Sequence, residues 1–203
     1  MLNIEPIKLL SGSHADTAQT GSGCFMNVIA YLNGEPQITD QSPCVCRTIR
    51  QPAIWINDFL EDSERHLLLP FVQRAMGTAT GDVTVLRQRI ALLVQYIRDV
   101  AALTSRFSPN ASAANSALQS VLLAEIGLKS SKAYWLKPDY FGQLAVNAAS
   151  FAATASNNPA ERRALIDRTL TYLEAVCPPA DAPSRVLIER ANRLLELATA
   201  QGE

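Results

Sequence analysis

The residues that most restrict the fold lie beyond position 80. Between positions 83 and 103, Leu86, Ile90, Leu93, Ile97 and Val100 recur at spacings of three and four, with Arg87, Gln88, Gln95, Arg98 and Asp99 between them. A helix gathers that spacing onto one stripe, whereas a strand would send alternate members to opposite faces. Composition points the same way. The hydrophobic side chains are 48% of the 203 residues and lean on Ala and Leu, while aromatic residues are only 6%, and Ala is the residue least costly to hold helical.

The expected fold is therefore mainly α. Further helix signals follow the first stripe. An Ala-rich segment begins at Asn110, reaches Ile126 and should stop at Gly127. Asp139 can cap a helix over 140–155, whose Ala145, Ala148, Ala149, Ala152 and Ala153 let neighbouring helices approach closely. Asn158, Pro159 and Glu161 combine an N-cap, a first-turn proline and a capping-box carboxylate. Ser184 or Asp181 can start a last helix with Leu187, Ala191, Leu194 and Ala198 on its inner face. Residues 81–203 read as a bundle of antiparallel helical hairpins.

Residues 1–80 read as a separate, irregular and motif-bearing subdomain packed on that bundle. Residues 1–10 alternate weakly and can form a short edge strand, and 11–23 are a loop. An apolar helix over 24–32 should stop at Asn33-Gly34. A second helix over 47–59 should be interrupted at Pro52, and a third, capped by Asp62, should end or kink at Pro70.

Charge and cysteine content narrow the function classes. A formal net charge of -1 and a pI near 6.1 lack the field that dedicated nucleic-acid binders use to gather phosphate. No apolar run approaches the ~20 residues of a membrane helix, and no signal-peptide pattern opens the chain. Four cysteines are too sparse for a disulfide-stapled secreted scaffold. The chain reads as cytoplasmic, with no membrane partner.

Two constellations could carry chemistry. His14, Cys24, Cys44 and Cys46 supply one imidazole and three thiols, the donor set of a Cys3His zinc site, although Cys-x-Cys is not the usual Cys-x-x-Cys knuckle. The competing reading makes the cysteines small buried hydrophobes and His14 a hydrogen-bonding loop residue. Cys24 also sits where a helix should begin, and a helix N-terminus favours thiolate. The string Gly23-Cys24-Phe25-Met26-Asn27 resembles the cysteine box of papain-fold deubiquitinases. That resemblance implies Cys24 as nucleophile and a base histidine far downstream, for which His66 lies too early. Apart from the resemblance, a thiol-dependent site would centre on Cys24 with His14 and Asp16 close in sequence. Elsewhere, Lys129, Lys132, Tyr134, Trp135 and Lys137 interleave basic and aromatic residues, a pattern suited to an interface anchor.

Gly12, His14, Gly23-Cys24, Met26, Gly34-Glu35-Pro36, Asp40, Pro43-Cys44, Asn57-Asp58, Leu67-Leu68-Leu69-Pro70 and Gly77-Thr78 together resemble a family of uncharacterised bacterial and phage proteins. Members share Cys-x-Met-Glu, Ala-Gly-Glu-Pro and Pro-x-Cys stretches followed by Ala-rich helices. The resemblance covers about residues 10–80 and implies a mobile-element origin rather than a reaction. Asn27 stands where the family usually has Glu. The leading expectation is a non-enzymatic interaction protein, phage- or mobile-element-borne, that binds and inhibits a host protein or ribonucleoprotein complex, an anti-CRISPR protein being the concrete case. Homo-oligomerisation through the Ala-rich helices is a further expectation. The alternative is a zinc- or thiol-dependent enzyme centred on His14, Cys24, Cys44 and Cys46.

Overall fold

The computed structural model describes residues 2–107, 111–129 and 137–200. It is mainly helical, as the apolar periodicity requires, with helices packed on one another as a bundle. The helices are α1 (Thr17–Thr20), α2 (Phe25–Asn33), α3 (Arg47–Phe59), α4 (Leu69–Ala75), α5 (Val83–Phe107), α6 (Ala111–Lys129), α7 (Pro138–Ala155), α8 (Pro159–Val176) and α9 (Arg185–Ala200). Two compact units result: Met1–Cys46, Ala53–Ala79 and Cys177–Glu203 form the first, and Arg47–Pro52 with Thr80–Val176 the second. Among the described residues no helix is long and apolar enough to cross a membrane.

Among the described residues of the first unit the expected edge strand is absent. Residues 2–10 bury Ile4, Ile7 and Leu9, but their only pairing is an isolated parallel bridge between Leu9 and Gly23. Helix α2 is enclosed on nearly all sides, which its apolar sequence allows, and it ends at Gly34, whose φ of 74° suits glycine. Pro70 does not end a helix. It occupies the first turn of α4, where a missing N–H costs nothing, after a short 3-10 turn over Arg65–Leu68. Helix α9 packs on α1 and α2; Ser184 Oγ accepts the Leu187 N–H at 3.2 Å, and Arg190 Nη1 donates to the Leu32 carbonyl at 3.0 Å.

The second unit is built on α5, which packs against α6, α7 and α8. Ile90, Leu93, Ile97 and Val100 are fully buried, as their spacing requires. Ala145, Ala148, Ala149 and Ala152 of α7 are buried as well, and α7 packs on both α5 and α6. Gly127 does not stop α6 but lies inside it. A methyl group there would stand 2.7 Å from Cζ of Phe141, so this glycine is a packing notch for an aromatic ring. At α8, Asn158 Oδ1 accepts the Glu161 N–H at 3.0 Å, and Glu161 Oε2 accepts the Asn157 N–H at 2.6 Å. Lys137, not Asp139, is the N-cap of α7; Asp139 sits in the first turn and pairs with Arg47 and Arg50 of α3.

Pro52 lies within α3 without interrupting it. Proline deprives the Thr48 carbonyl of its usual acceptance from residue 52. The hydroxyl of Tyr172 donates to that carbonyl at 2.7 Å, a partner 124 positions along the chain. The broken ladder is thereby repaired from outside the helix.

Candidate functional site

The motif-rich residues of the first unit meet at the start of α2. Cys24 is the N-cap, and its Sγ accepts the Asn27 N–H at 3.4 Å. Asn27 reaches back: its Oδ1 accepts the Cys24 N–H at 3.3 Å and the His14 N–H at 2.7 Å. This is a capping box in which Asn performs the task usually given to Glu or Gln. One oxygen thus satisfies a helix-start donor and fixes the preceding loop. Asn57 does the same from α3. Its Oδ1 accepts the Phe25 N–H at 3.1 Å, and its Nδ2 donates to the Leu10 carbonyl at 2.9 Å. Asp58 Oδ1 then accepts the Gly12 N–H at 2.7 Å and the Ser11 hydroxyl at 3.2 Å. Gly23 is required by proximity, since a methyl group there would stand 2.3 Å from Oγ1 of Thr17.

A second knot fastens the loop before α3. Ser42 donates to Glu35 Oε1 and lies 3.2 Å from Cys44 Sγ. The Cys46 N–H donates to Thr78 Oγ1 at 3.0 Å, and that hydroxyl donates to the Ala75 carbonyl at 2.6 Å. The Ala79 N–H donates to the Cys44 carbonyl at 2.9 Å. The Gly34-Glu35-Pro36, Pro43-Cys44 and Gly77-Thr78 stretches are therefore loop fasteners in this fold.

The chemical readings fare differently in this geometry. Among the described residues no group of three or more His, Cys, Asp and Glu side chains could hold a metal ion, so His14, Cys24, Cys44 and Cys46 do not form the Cys3His set. Cys24 and Cys46 are buried as the N-caps of two different helices. The His14 Nε2 bonds with the Ser11 carbonyl at 2.7 Å, which makes it a hydrogen-bonding loop residue. Asp16 is exposed, and its backbone carbonyl caps α1. Of the proposed catalytic residues, only Cys24 and His14 come together, and they do so through the His14 backbone.

Burial pushes the Cys24 thiol up from its ordinary 9.0 to about 11, with the Asn27 and Met26 N–H groups pulling the other way. An activated nucleophile needs the reverse shift. The Cys44 thiol is also raised by burial. Beside Cys24 lies a cavity of only about 40 Å³, bordered by Gly12, Asp40, Asn57 and Asp58. That volume is far below the ~300 Å³ of a small-molecule site.

The raised thiol has a measurable consequence. Because its folded pKa lies above its unfolded value, the unfolded chain ionises first, and stability falls as pH rises from 9.0 towards about 11. Two units correspond to about 3 kcal/mol at most. Cys24→Ser keeps a capping oxygen and should flatten that decline in urea unfolding followed across this window. Identical slopes for the variant and the parent would count against a buried protonated thiol.

Of the basic and aromatic interface candidates, Lys129 and Lys137 are exposed, whereas Lys132, Tyr134 and Trp135 lie outside the described residues. Sequence reasoning missed a surface on the same element as Lys129. Helix α6 turns small residues inward, with Ala117, Ser120 and Ala124 buried, and large apolar ones outward: Leu118, Leu122 and Ile126 are 48%, 60% and 68% exposed, and Leu123 flanks them. The signal was present as two interleaved series on one helix, small side chains on one and large ones on the other.

No protein-family model, no curated protein and no solved structure matches the chain.

Proposed function

We propose that this chain is a non-enzymatic interaction protein that works through the outside of its second unit. The inverted face of α6 carries this reading. A helix whose exterior meets only water places polar residues there, so three large apolar side chains at intervals of four mark a surface meant for contact. The use of Cys24, Asn27, Asn57 and Asp58 in fixing backbone also supports a scaffold role for the motif region.

The partner we propose is a host protein or ribonucleoprotein complex, engaged through the basic region that starts at Lys129 and ends at Lys137. The resemblance of residues 10–80 to bacterial and phage proteins supports a mobile-element origin. Inhibition of a CRISPR effector is the concrete form of the proposal, because an inhibitor needs shape and a few anchors rather than tuned titratable groups. The test is affinity capture from bacterial lysate, paired with phage plating on CRISPR-immune hosts. Expected is a stoichiometric partner that the Lys129→Glu/Lys137→Glu double variant loses and Cys24→Ser retains. Loss of the partner in Cys24→Ser with the fold intact, or an empty eluate across several hosts, would overturn the proposal.

A further inference from the structure

We infer that a cavity in the first unit binds a small hydrophobic amine. This goes beyond the proposed contact with a host complex and rests on different residues. The cavity lies between the segment 2–5 and the turn and helix over 66–73, and its walls are Leu2, Ile4, Leu69 and Pro70. Its volume is about 410 Å³. Unlike the hollow beside Cys24, it falls within the ~300–1,000 Å³ range of small-molecule sites. The walls are fixed before any ligand arrives. Gln73 Oε1 accepts the Leu2 N–H at 2.8 Å and Gln73 Nε2 donates to the Asp181 carbonyl at 2.7 Å, so both ends of this amide are committed within the chain. Ile4 is buried, and its carbonyl accepts the Ile7 N–H at 3.0 Å. Little is left to order on binding, which favours affinity.

The polar groups decide the ligand class. Glu5 and His66 complete the lining. An ionised carboxylate only accepts hydrogen bonds. His66 Nδ1 bonds with the Ser63 carbonyl at 2.7 Å; a carbonyl cannot donate, so the proton sits on Nδ1 and the neutral ring offers Nε2 as an acceptor. Two acceptors beside apolar walls, one of them an anion, match an ammonium head on an apolar body. The cations of the neighbouring segments are engaged elsewhere: Lys8 and Arg65 pair with Asp62, and Arg74 donates to the Cys177 and Pro178 carbonyls. Among the described lining residues, a carboxylate ligand would find neither Lys nor Arg and would meet the like charge of Glu5.

Calorimetric titration of the full chain at pH 8 with 4-phenylbutylamine, 4-phenylbutanol and 4-phenylbutanoate tests the site. Expected is one amine bound per chain, with the alcohol weaker and the carboxylate weakest. Glu5 is exposed, so Glu5→Gln leaves the fold intact. It should weaken the amine about fivefold, the most that an exposed ion pair contributes, and leave the alcohol unchanged. Leu2→Trp keeps the backbone bond to Gln73 and fills the cavity, so it should abolish binding of amine and alcohol at an unchanged melting temperature. No uptake of the amine by the parent, equal affinity for amine and carboxylate, or an amine-to-alcohol ratio that survives Glu5→Gln would each overturn the inference. Amine binding retained in Leu2→Trp would overturn it as well, by placing the ligand elsewhere. The lysate test is independent, because Lys129 and Lys137 belong to the second unit, so either proposal can fail alone.

Discussion

Gly21→Ala should cost about 2–5 kcal/mol, whereas Gly12→Ala should cost about 1–2 kcal/mol. Both glycines have a left-handed backbone, with φ of 69° and 76°, and both would carry the same steric penalty for a side chain. They differ in surroundings. A methyl group at Gly12 meets nothing within 4 Å, but one at Gly21 would stand 2.3 Å from the Ala198 nitrogen and 2.6 Å from the Leu194 oxygen. These are backbone atoms of α9 and cannot swing aside as a flexible side chain would. Helix α9 must shift, and with it Leu194 and Ala191, which are buried within the first unit. Urea unfolding of both variants gives the two costs, and limited proteolysis should cut within 185–200 earlier in Gly21→Ala than in Gly12→Ala. Equal losses would mean that the approach of α9 to Gly21 contributes nothing beyond backbone strain.

That contrast illustrates what the sequence could and could not convey. Local signals carried well: the stripe of Ile90, Leu93 and Ile97, the cap at Asn158 and the glycine stop at Gly34 all depend on neighbours within a few residues. Expectations failed where a distant group overrode a local rule. Pro52 should break α3, but Tyr172 satisfies the carbonyl that proline abandons. Gly127 should end α6, but Phe141 needs the space that a side chain would fill. The same limit applied to the site. Cys24 was legible as a helix start, yet the rise in its pKa depends on burial, which only the packed fold reveals. The outer face of α6 was missed for a simpler reason: an apolar residue at helical spacing is ordinarily assigned to the core, and only the packed structure shows which face the small residues take.

The second large effect is expected at Asn57, where Asn57→Leu should cost about 2–6 kcal/mol. Leucine keeps the branched shape of asparagine but carries bulkier methyl groups, so some overpacking adds to the loss of both hydrogen-bonding functions. The Phe25 N–H and the Leu10 carbonyl would each lose their Asn57 partner at a side chain that is 1% exposed, and each unmet buried group costs about 1–3 kcal/mol. Asn27→Leu removes a parallel tie, from the Cys24 and His14 N–H groups to the same helix start. Both asparagines hold the loop of residues 10–14 to α2, so their losses should not add. Once one tie is cut and the loop lifts away, the other has less to hold, and the double variant should be more stable than the sum of single losses implies. Strict additivity in urea unfolding would show two independent caps rather than one fastened loop. The same variants bear on function. If the network is scaffold, Asn57→Leu kept below its unfolding transition should bind the partner as the parent does, because the network lies in the first unit and the proposed contact residues lie in the second. Loss of binding in a variant that remains folded would instead place the working surface at the start of α2.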